Sequence, residues 1–340
     1  MPTPSGSPDP GRAAELARKV AAGDRRALAR AITLVESVRP EDRASAEALM
    51  AALPPPSGET LRVGIAGAPG VGKSTLIETL GLHAIGQGHR LAVLAVDPSS
   101  PVSGGSILGD KTRMMELSRA DAAFIRPSPT AGRLGGVARR TAEAVRLCEA
   151  AGYDRVIVET VGLGQSETAI ADLVDVVLLL VPPGGGDELQ GIKRGIMETA
   201  DLIAVTKADG ARLEEAGRTA AEYQHALRLM RPADAPWVPS ARTCSALTGT
   251  GMAEIWAEIE RFGSAVGPSG LAARRAQQAV RQLSAEIEEE LKARLAGAGL
   301  AGRLAALEAE VQAGRLTARA AARALLDGLT GPAVPSARKP

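Results

Sequence analysis

Two spacings of apolar residues alternate along the middle of the chain. Short, nearly continuous apolar runs predict buried strands at 61–66, 91–97, 122–126, 154–160, 174–181, 202–206 and about 238–244. Between these runs, apolar residues recur at helical spacing and predict helices near 73–86, 136–150, 187–199, 211–230 and 251–262. Strands that alternate with helices in this way are typical of α/β proteins with a doubly wound, mostly parallel sheet.

The regions before and after this alternation are predicted to be helical. Residues 11–53 carry an apolar face, and Pro40 separates a first helix from a second at about 41–53. Beyond residue 263, helical spacing predicts one helix around 280–295, an interruption at 297–302, and two short helices marked by Leu304, Leu307, Val311 and by Leu325, Leu326, Leu329. Such helices either pack on their own domain or form a dimer arm, and spacing leaves both open.

These boundaries divide the chain into five parts. A leader at 1–10 and a tail at 331–340 are rich in Pro, Ser and Gly and are predicted to be disordered. Between them lie a helical segment with a proline-rich linker at 11–58, an α/β domain at 59–262, and a helical segment at 263–330.

Composition narrows the class of protein. The 340 residues are 45% hydrophobic but only 2% aromatic, so the core must be built from Ala, Val, Leu and Ile. A net charge of +1 leaves no electrostatic footprint for nucleic acid or an anionic membrane. Cys148 and Cys244 are far apart and support neither a disulfide framework nor a zinc site. No apolar run is long enough for a membrane span and no secretory signal begins the chain, so we expect a cytoplasmic protein.

The most specific chemical signal follows the first strand. Residues 67–75 fit the pattern G-x-x-x-x-G-K-[ST], in which glycines let backbone N–H groups point inward around phosphate oxygens. The lysine is expected to reach the β- and γ-phosphates, and the first hydroxyl to ligate Mg²⁺. The alternative is a chance glycine-rich turn. The candidate nucleotide-binding residues here are Gly67, Ala68, Pro69, Gly70, Val71, Gly72, Lys73, Ser74 and Thr75.

Carboxylates follow or end other predicted strands. Asp97, Asp110 and Glu159 are candidates, with Ser74, for holding Mg²⁺ directly or through water. The Gly162 N–H can bond a terminal phosphate oxygen. The alternative for these carboxylates is a helix or turn cap, or a solvated turn.

A base-recognition pattern follows the sixth strand. Thr206-Lys207-Ala208-Asp209 resembles the guanine-reading N-K-x-D motif, with Thr206 in place of the usual Asn. A carboxylate at Asp209 can accept hydrogen bonds from guanine N1–H and the 2-amino group, and it would be left unpaired against adenine. The Lys207 stem can cover the base. We expect the Thr206 hydroxyl to make only part of the tie that an amide makes to the phosphate loop. Downstream, a backbone loop resembles the one that donates to guanine O6, formed by Ser245, Ala246 and Leu247.

Beyond single motifs, several loop strings resemble the MeaB/ArgK family of SIMIBI-class P-loop GTPases, the methylmalonyl-CoA mutase-associated GTPases. The similar stretches lie within residues 61–262, and the N-terminal helices fit as well. They are Gly67–Thr75, Leu94–Ser100, Gly104–Met114, Phe124–Pro129, Glu159–Gly162, Gly164–Glu167 and Gly186–Lys193.

The resemblance implies a homodimeric GTPase that uses the 263–330 helices as a dimerisation arm. It implies a chaperone of an adenosylcobalamin-dependent acyl-CoA mutase, which gates cofactor loading and protects the mutase. By matching positions, Asp97, Asp110 and Glu159 belong to the switch residues around Mg²⁺, and 184–193 is a third switch that answers to the mutase. Gln165 and Gln190 are both candidates for positioning the attacking water, and the partner is expected to bring Gln190 or Lys193 toward the nucleotide.

Two other functions are compatible with a phosphate loop. A kinase associated with a lysine/arginine/ornithine transport system needs a phosphoryl-acceptor domain, and none is evident between 61 and 262. A nickel-type metallochaperone needs a tract rich in Cys and His, whereas His83, His89 and His225 are scattered singly.

Overall fold

The computed structural model describes residues 10–55, 59–97, 114–129, 134–160, 170–184, 194–230, 236–295 and 298–330. Within these ranges, seven strands form one sheet. The strands are β1 (Leu61–Gly67), β2 (Leu91–Asp97), β3 (Ala123–Pro129), β4 (Arg155–Thr160), β5 (Val176–Val181), β6 (Leu202–Val205) and β7 (Ser240–Thr243). Their order is β3-β2-β4-β1-β5-β6-β7, and every neighbouring pair is parallel. The predicted α/β fold with a doubly wound, mostly parallel sheet is confirmed.

The helices of the described ranges include the predicted ones, with three differences beyond the N-terminal region: a short additional helix at 115–119, a helix from 252 that continues past 262 as far as 295, and a helix that begins at 298, inside the predicted interruption at 297–302. Glycines in that interruption lower helix propensity but do not end the helix. The helices are α1 (Pro10–Ala21), α2 (Arg25–Glu36), α3 (Pro40–Ala51), α4 (Lys73–Gly86), α5 (Met115–Arg119), α6 (Leu134–Ala150), α7 (Arg194–Thr199), α8 (Leu213–Met230), α9 (Met252–Leu295), α10 (Ala298–Gln312) and α11 (Ala318–Thr330). In α9 the helix is interrupted at Gly267, which has φ 67° and precedes Pro268.

The N-terminal region differs from the prediction. The apolar face predicts a single helix before Pro40, but the chain forms two, α1 and α2, separated at Gly23 and Asp24. Gly23 has a positive φ of 78°, and the Asp24 carboxylate caps α2 by accepting from the backbone N–H groups of Arg26 and Ala27. This cap satisfies N–H groups at the start of the second helix, which the continuous apolar face gave no means of locating.

Alternate strand residues fill cores on both faces of the sheet. On one face, Val63, Ile65 and Leu178 belong to a buried cluster with residues of α4 and with Trp256 and Phe262 of α9. On the other face, strand residues such as Leu94 and Val156 share a cluster with α1, α2, α3 and α6. A third cluster joins β5 and β6 to α8. The N-terminal helices therefore complete the core of the α/β domain.

The first compact unit of the chain ends at Gln282. It therefore includes residues 263–282, which were predicted to belong to the C-terminal helical segment. Buried hydrogen bonds hold this part of α9 against the strand ends. Gln278 is 2% exposed, and its amide donates to the carbonyl oxygens of Ala171 (2.8 Å) and Val174 (2.7 Å), which precede β5.

Residues from Leu283 onward form a second unit. Within it, α10 and α11 pack together, and the Arg303 guanidinium donates to the Ala324 carbonyl at 2.9 Å. Leu304, Leu307, Val311 and Leu325 line a mainly apolar cleft of about 480 Å³ between these two helices. Among the described residues of the whole chain, no helix is long and apolar enough to cross a membrane.

Candidate active site

The loop between β1 and α4 has the backbone that a phosphate cradle requires. Gly67 has φ 153°, and a Cβ placed there would lie 2.6 Å from the Leu180 carbonyl oxygen of the neighbouring strand. Gly72 has φ 102° immediately before the first turn of α4, a conformation that L side chains rarely adopt. The two glycines of the sequence pattern therefore allow close packing at one end of the loop and a left-handed turn at the other.

Lys73 is the first residue of α4, and its side chain folds back into this loop. The residue is 8% exposed, and its ammonium donates to the carbonyl oxygens of Gly67 (2.6 Å) and Ala68 (3.1 Å). A positive charge is thus held at the N-terminus of a helix, where backbone N–H groups also favour anions.

Ser74 and Glu159 meet beside the loop because β4 pairs directly with β1, with Ile65 opposite Glu159. The Ser74 hydroxyl donates to Glu159 Oε1 at 3.2 Å, and Glu159 is 4% exposed. A hydroxyl and a buried carboxylate are hard oxygen donors of the kind Mg²⁺ prefers, so this pair fits the ion. Asp97 ends β2 at the same edge, but its side chain and all of Asp110 lie outside the described residues.

A cavity of about 450 Å³ opens next to the phosphate loop. It lies at the carboxyl ends of the strands, where parallel sheets bind ligands. It is lined by Val71, Gly72, Thr75, Leu76, Thr206, Lys207, Asp209, Gly210, Ala211, Arg212, Ser245, Ala246 and Leu247. The structure therefore brings together the two segments predicted for base recognition, and it adds residues 210–212, which the sequence patterns did not indicate. Their position directly after Asp209 was the available signal.

Asp209 is held in a defined orientation in this cavity. The Ser245 hydroxyl, fully buried, donates to Asp209 Oδ2 at 2.5 Å, and the backbone N–H of Thr248 donates to the same hydroxyl oxygen at 3.2 Å. A carboxylate fixed on one oxygen can present its remaining lone pairs to a ligand with paired donors.

Thr206 and Lys207 connect this cavity to the phosphate loop. The buried Thr206 hydroxyl lies 2.8 Å from the Val71 carbonyl oxygen and donates to it. The tie from this position to the loop is therefore present without an asparagine. Lys207 has a left-handed backbone, with φ 55°, and its ammonium donates to the Gly70 carbonyl at 2.7 Å.

Several predicted site residues cannot be placed. Gly162 and Gln165 lie in 161–169, and Gln190 and Lys193 lie in 185–193, all outside the described residues. Gly184, which directly precedes the second of these segments, is described: its N–H donates to the Thr219 hydroxyl of α8 at 3.1 Å.

The other reactive groups of the described part of the chain form no second site. Both cysteines are free and buried, and burial raises the pKa of the Cys244 thiol to about 12, so it stays protonated. Within the described ranges, no three His, Cys, Asp or Glu side chains are grouped in a way that could hold a metal ion.

A glycine-rich phosphate loop beside a cavity at the carboxyl edge of a parallel sheet is typical of P-loop nucleotide-hydrolysing proteins. The chain belongs to the MeaB family: the family model described as "Methylmalonyl Co-A mutase-associated GTPase MeaB" matches residues 28–299. The predicted resemblance is thereby confirmed.

Individual relatives agree with this assignment. A putative GTPase of Caulobacter vibrioides is 52% identical over 313 residues, covering 92% of this chain and 96% of the relative. The mouse methylmalonic aciduria type A homolog, mitochondrial, is 53% identical over 267 residues, covering 75% of this chain and 64% of the relative. A crystal structure described as an LAO/AO transport system kinase has 39% identity and a TM-score of 0.75, covering 95% of this chain and 99% of the other.

Proposed function

We propose that this protein is a cytoplasmic, GTP-hydrolysing chaperone of an adenosylcobalamin-dependent acyl-CoA mutase of the methylmalonyl-CoA mutase type. It gates cofactor loading and protects the mutase from inactivation. The observation that carries the proposal is the family match across residues 28–299, a family whose description names both the GTPase and the mutase. The name of the mouse relative supports the same metabolic context.

Guanine is the base that the cavity suits best. Asp209 accepts from guanine N1–H and from the 2-amino group, while Ser245 keeps the carboxylate aimed. Adenine offers neither of these donors at the same positions, so the lone pairs of the half-buried Asp209 carboxylate that Ser245 does not use would be left unpaired against it. The Lys207 stem covers one face of the base. The backbone loop at 245–247 donates to O6 through the N–H groups of Ala246 and Leu247, because the Ser245 N–H already donates to the Thr250 carbonyl.

The triphosphate follows the loop toward α4. Lys73 exchanges its two carbonyl partners for the β- and γ-phosphate oxygens, a charge-assisted contact that replaces neutral ones. Ser74 and Glu159 hold Mg²⁺, with Asp97 and Asp110 as further switch residues, and Gly162 bonds a terminal oxygen. When bound, the ion neutralises charge on the phosphate oxygens.

Regulation by a partner falls to the switch segments. Residues 184–193 form the segment that answers to the mutase, and Gly184 anchors its start to α8 through Thr219. Gln165 and Gln190 are the candidates for orienting water, with Gln190 or Lys193 brought in by the partner. Within the helical segment predicted as a dimerisation arm, the part from Leu283 onward serves as a homodimer arm, because residues 263–282 belong to the first compact unit.

A second candidate, a transport-system kinase, rests on the name given to the solved structure that shares 39% identity. It differs in its product: a kinase places the γ-phosphate on an acceptor, whereas the proposed GTPase releases inorganic phosphate.

The test uses the full chain and a candidate mutase. We expect co-purification that differs between GDP and a non-hydrolysable GTP analogue, and GTP turnover that is slow alone and stimulated by saturating mutase. Release of labelled γ-phosphate as inorganic phosphate supports the proposal. Label on a protein acceptor supports the kinase instead, and no association or stimulation in any nucleotide state contradicts the chaperone role.

A further inference from the structure

Thr79 lies in the second turn of α4, one helical turn after Thr75, which lines the base cavity. Its hydroxyl is 3.1 Å from the carbonyl oxygen of Ala246 and 3.2 Å from that of Thr75. The second of these contacts is the local back-bond that helical threonines commonly make. The first reaches 167 residues along the chain to the loop at 245–250.

That loop is otherwise braced from within and from the strand beside it. The Ser245 N–H donates to the Thr250 carbonyl at 2.9 Å, and the Ala208 N–H donates to the Cys244 carbonyl at 3.0 Å. Neither bond reaches the helix that begins with the phosphate-binding lysine. The Thr79 hydroxyl supplies that connection.

The hydrogen bond from Thr79 to the Ala246 carbonyl also orients the peptide between Ala246 and Leu247. The peptide unit between Ala246 and Leu247 is planar, so holding its carbonyl oxygen also holds the direction of the Leu247 N–H. Leu247 and Ala246 both line the cavity. Ala246 is half-buried and packs against the core, whereas Leu247 is 85% exposed, so the Thr79 bond supplies a directional contact that apolar packing of Ala246 does not.

We propose that Thr79 is a positioning residue for recognition of the base 6-oxygen: its hydroxyl holds the 245–247 backbone at the distance from the phosphate loop that a guanine nucleotide requires. This inference rests on the proposed function, because it assumes that the cavity binds guanine. In this proposal Thr79 of α4 affects base selection because its hydroxyl contacts the 245–250 loop, and it does not contact the base itself.

The test compares nucleotides that differ at one atom or group. The Thr79→Val variant keeps the side-chain shape and loses the hydroxyl, and Thr79→Ser keeps the hydroxyl. We expect Thr79→Val to bind GTP about fivefold to tenfold more weakly, the effect of one neutral hydrogen bond. The preference for GTP over 6-thio-GTP, which replaces the 6-oxygen, should shrink, while the preference for GTP over ITP, which lacks the 2-amino group read by Asp209, stays as in wild type. Thr79→Ser should restore both values.

Other outcomes overturn the inference. Unchanged GTP affinity in Thr79→Val means that the bond has no role in recognition. An equal loss for GTP, 6-thio-GTP and ITP means that Thr79 acts only on the general structure of the pocket. Wild-type protein that binds ATP as tightly as GTP contradicts the proposed guanine site itself, and this is seen before any variant is made.

Discussion

The two edges of the sheet handle charge in opposite ways. At the amino edge, where strands begin, buried carboxylates are paired with arginines from α9. At the carboxyl edge, where strands end, Lys73 and Lys207 donate to backbone carbonyls of the phosphate loop. Asp209 and Glu159 accept from serine hydroxyls there. Both edges belong to the same sheet, so the difference in charge pairing follows from the position along the strands.

The amino edge is closed by side-chain pairs. Asp175, fully buried before β5, accepts from both ends of the Arg275 fork, at 2.8 and 2.5 Å, and from the Arg62 N–H at 2.9 Å. Burial opposes the charge on Arg275, but the hydrogen bond and charge of Asp175 outweigh it and raise the pKa of the guanidinium. Asp201, before β6, is paired in the same way with Arg274 at 3.0 Å.

In the described part of the chain, the charged groups at the carboxyl edge contact neutral carbonyl and hydroxyl groups. Lys73 and Lys207 each donate to carbonyl oxygens of the phosphate loop, and Asp209 accepts from one hydroxyl. These are contacts that a phosphate, a base or a cation can replace. A pair such as Asp175 and Arg275 cannot be exchanged without leaving a buried charge alone. The difference teaches that the contacts of one edge stabilise the fold, whereas those of the other suit the nucleotide site that we propose.

The largest expected effect is on stability, at the amino edge. Arg275→Ala should lower the free energy of unfolding by about 3–5 kcal/mol, because it leaves the Asp175 charge buried without its partner. Urea unfolding followed by circular dichroism measures this loss. Arg281→Ala is the matched control on the same helix: its pair with Asp172 is half exposed, and we expect a loss of about 0–1 kcal/mol. Equal losses in the two variants would remove the contrast between the edges.

Next in size is an effect on turnover, at the carboxyl edge. Lys73→Ala should slow GTP hydrolysis about 10²- to 10³-fold, because a positive charge aimed at the transferring phosphate is lost. Its unfolding midpoint should stay close to that of wild type, unlike that of Arg275→Ala. A steady-state phosphate-release assay and the same urea titration give both values. Wild-type turnover would refute the assignment of the phosphate loop.

The smallest expected effect is on base choice. Asp209→Asn should weaken GTP binding by about 1–3 kcal/mol and favour xanthine nucleotide, because the amide NH₂ can donate to the xanthine 2-carbonyl that a carboxylate repels. Competition binding with GTP, XTP and ATP measures the change. Asp172→Asn, a carboxylate at the amino edge, should leave the order of preference intact. If Asp209→Asn does so too, the carboxylate does not read the base.

The sequence predicted the elements whose signals are local. Seven apolar runs marked the strands to within a few residues, and the glycine-lysine pattern located the phosphate loop because both depend on neighbouring residues. The pairing of Thr206 with Val71 spans 135 residues and that of Arg275 with Asp175 spans 100, so no local pattern indicates them. Charged residues on a helix usually predict a solvated face, and Arg274 and Arg275 instead turn inward to strand ends.

The scarcity of aromatic residues limits what the intrinsic fluorescence of the protein can report. The chain has two tryptophans, both buried in the same cluster and both by the amino edge: the Trp237 indole donates to the Asp201 carbonyl at 2.9 Å, and Trp256 packs 5.7 Å from the His89 ring. Neither lines the cavity beside the phosphate loop. Intrinsic tryptophan fluorescence therefore reports on the amino edge. There the Arg261 guanidinium lies 5.2 Å from the centre of the Trp237 ring, and Arg274 pairs with Asp201, whose carbonyl accepts from Trp237. Watching nucleotide exchange in this protein calls for a fluorophore carried by the nucleotide.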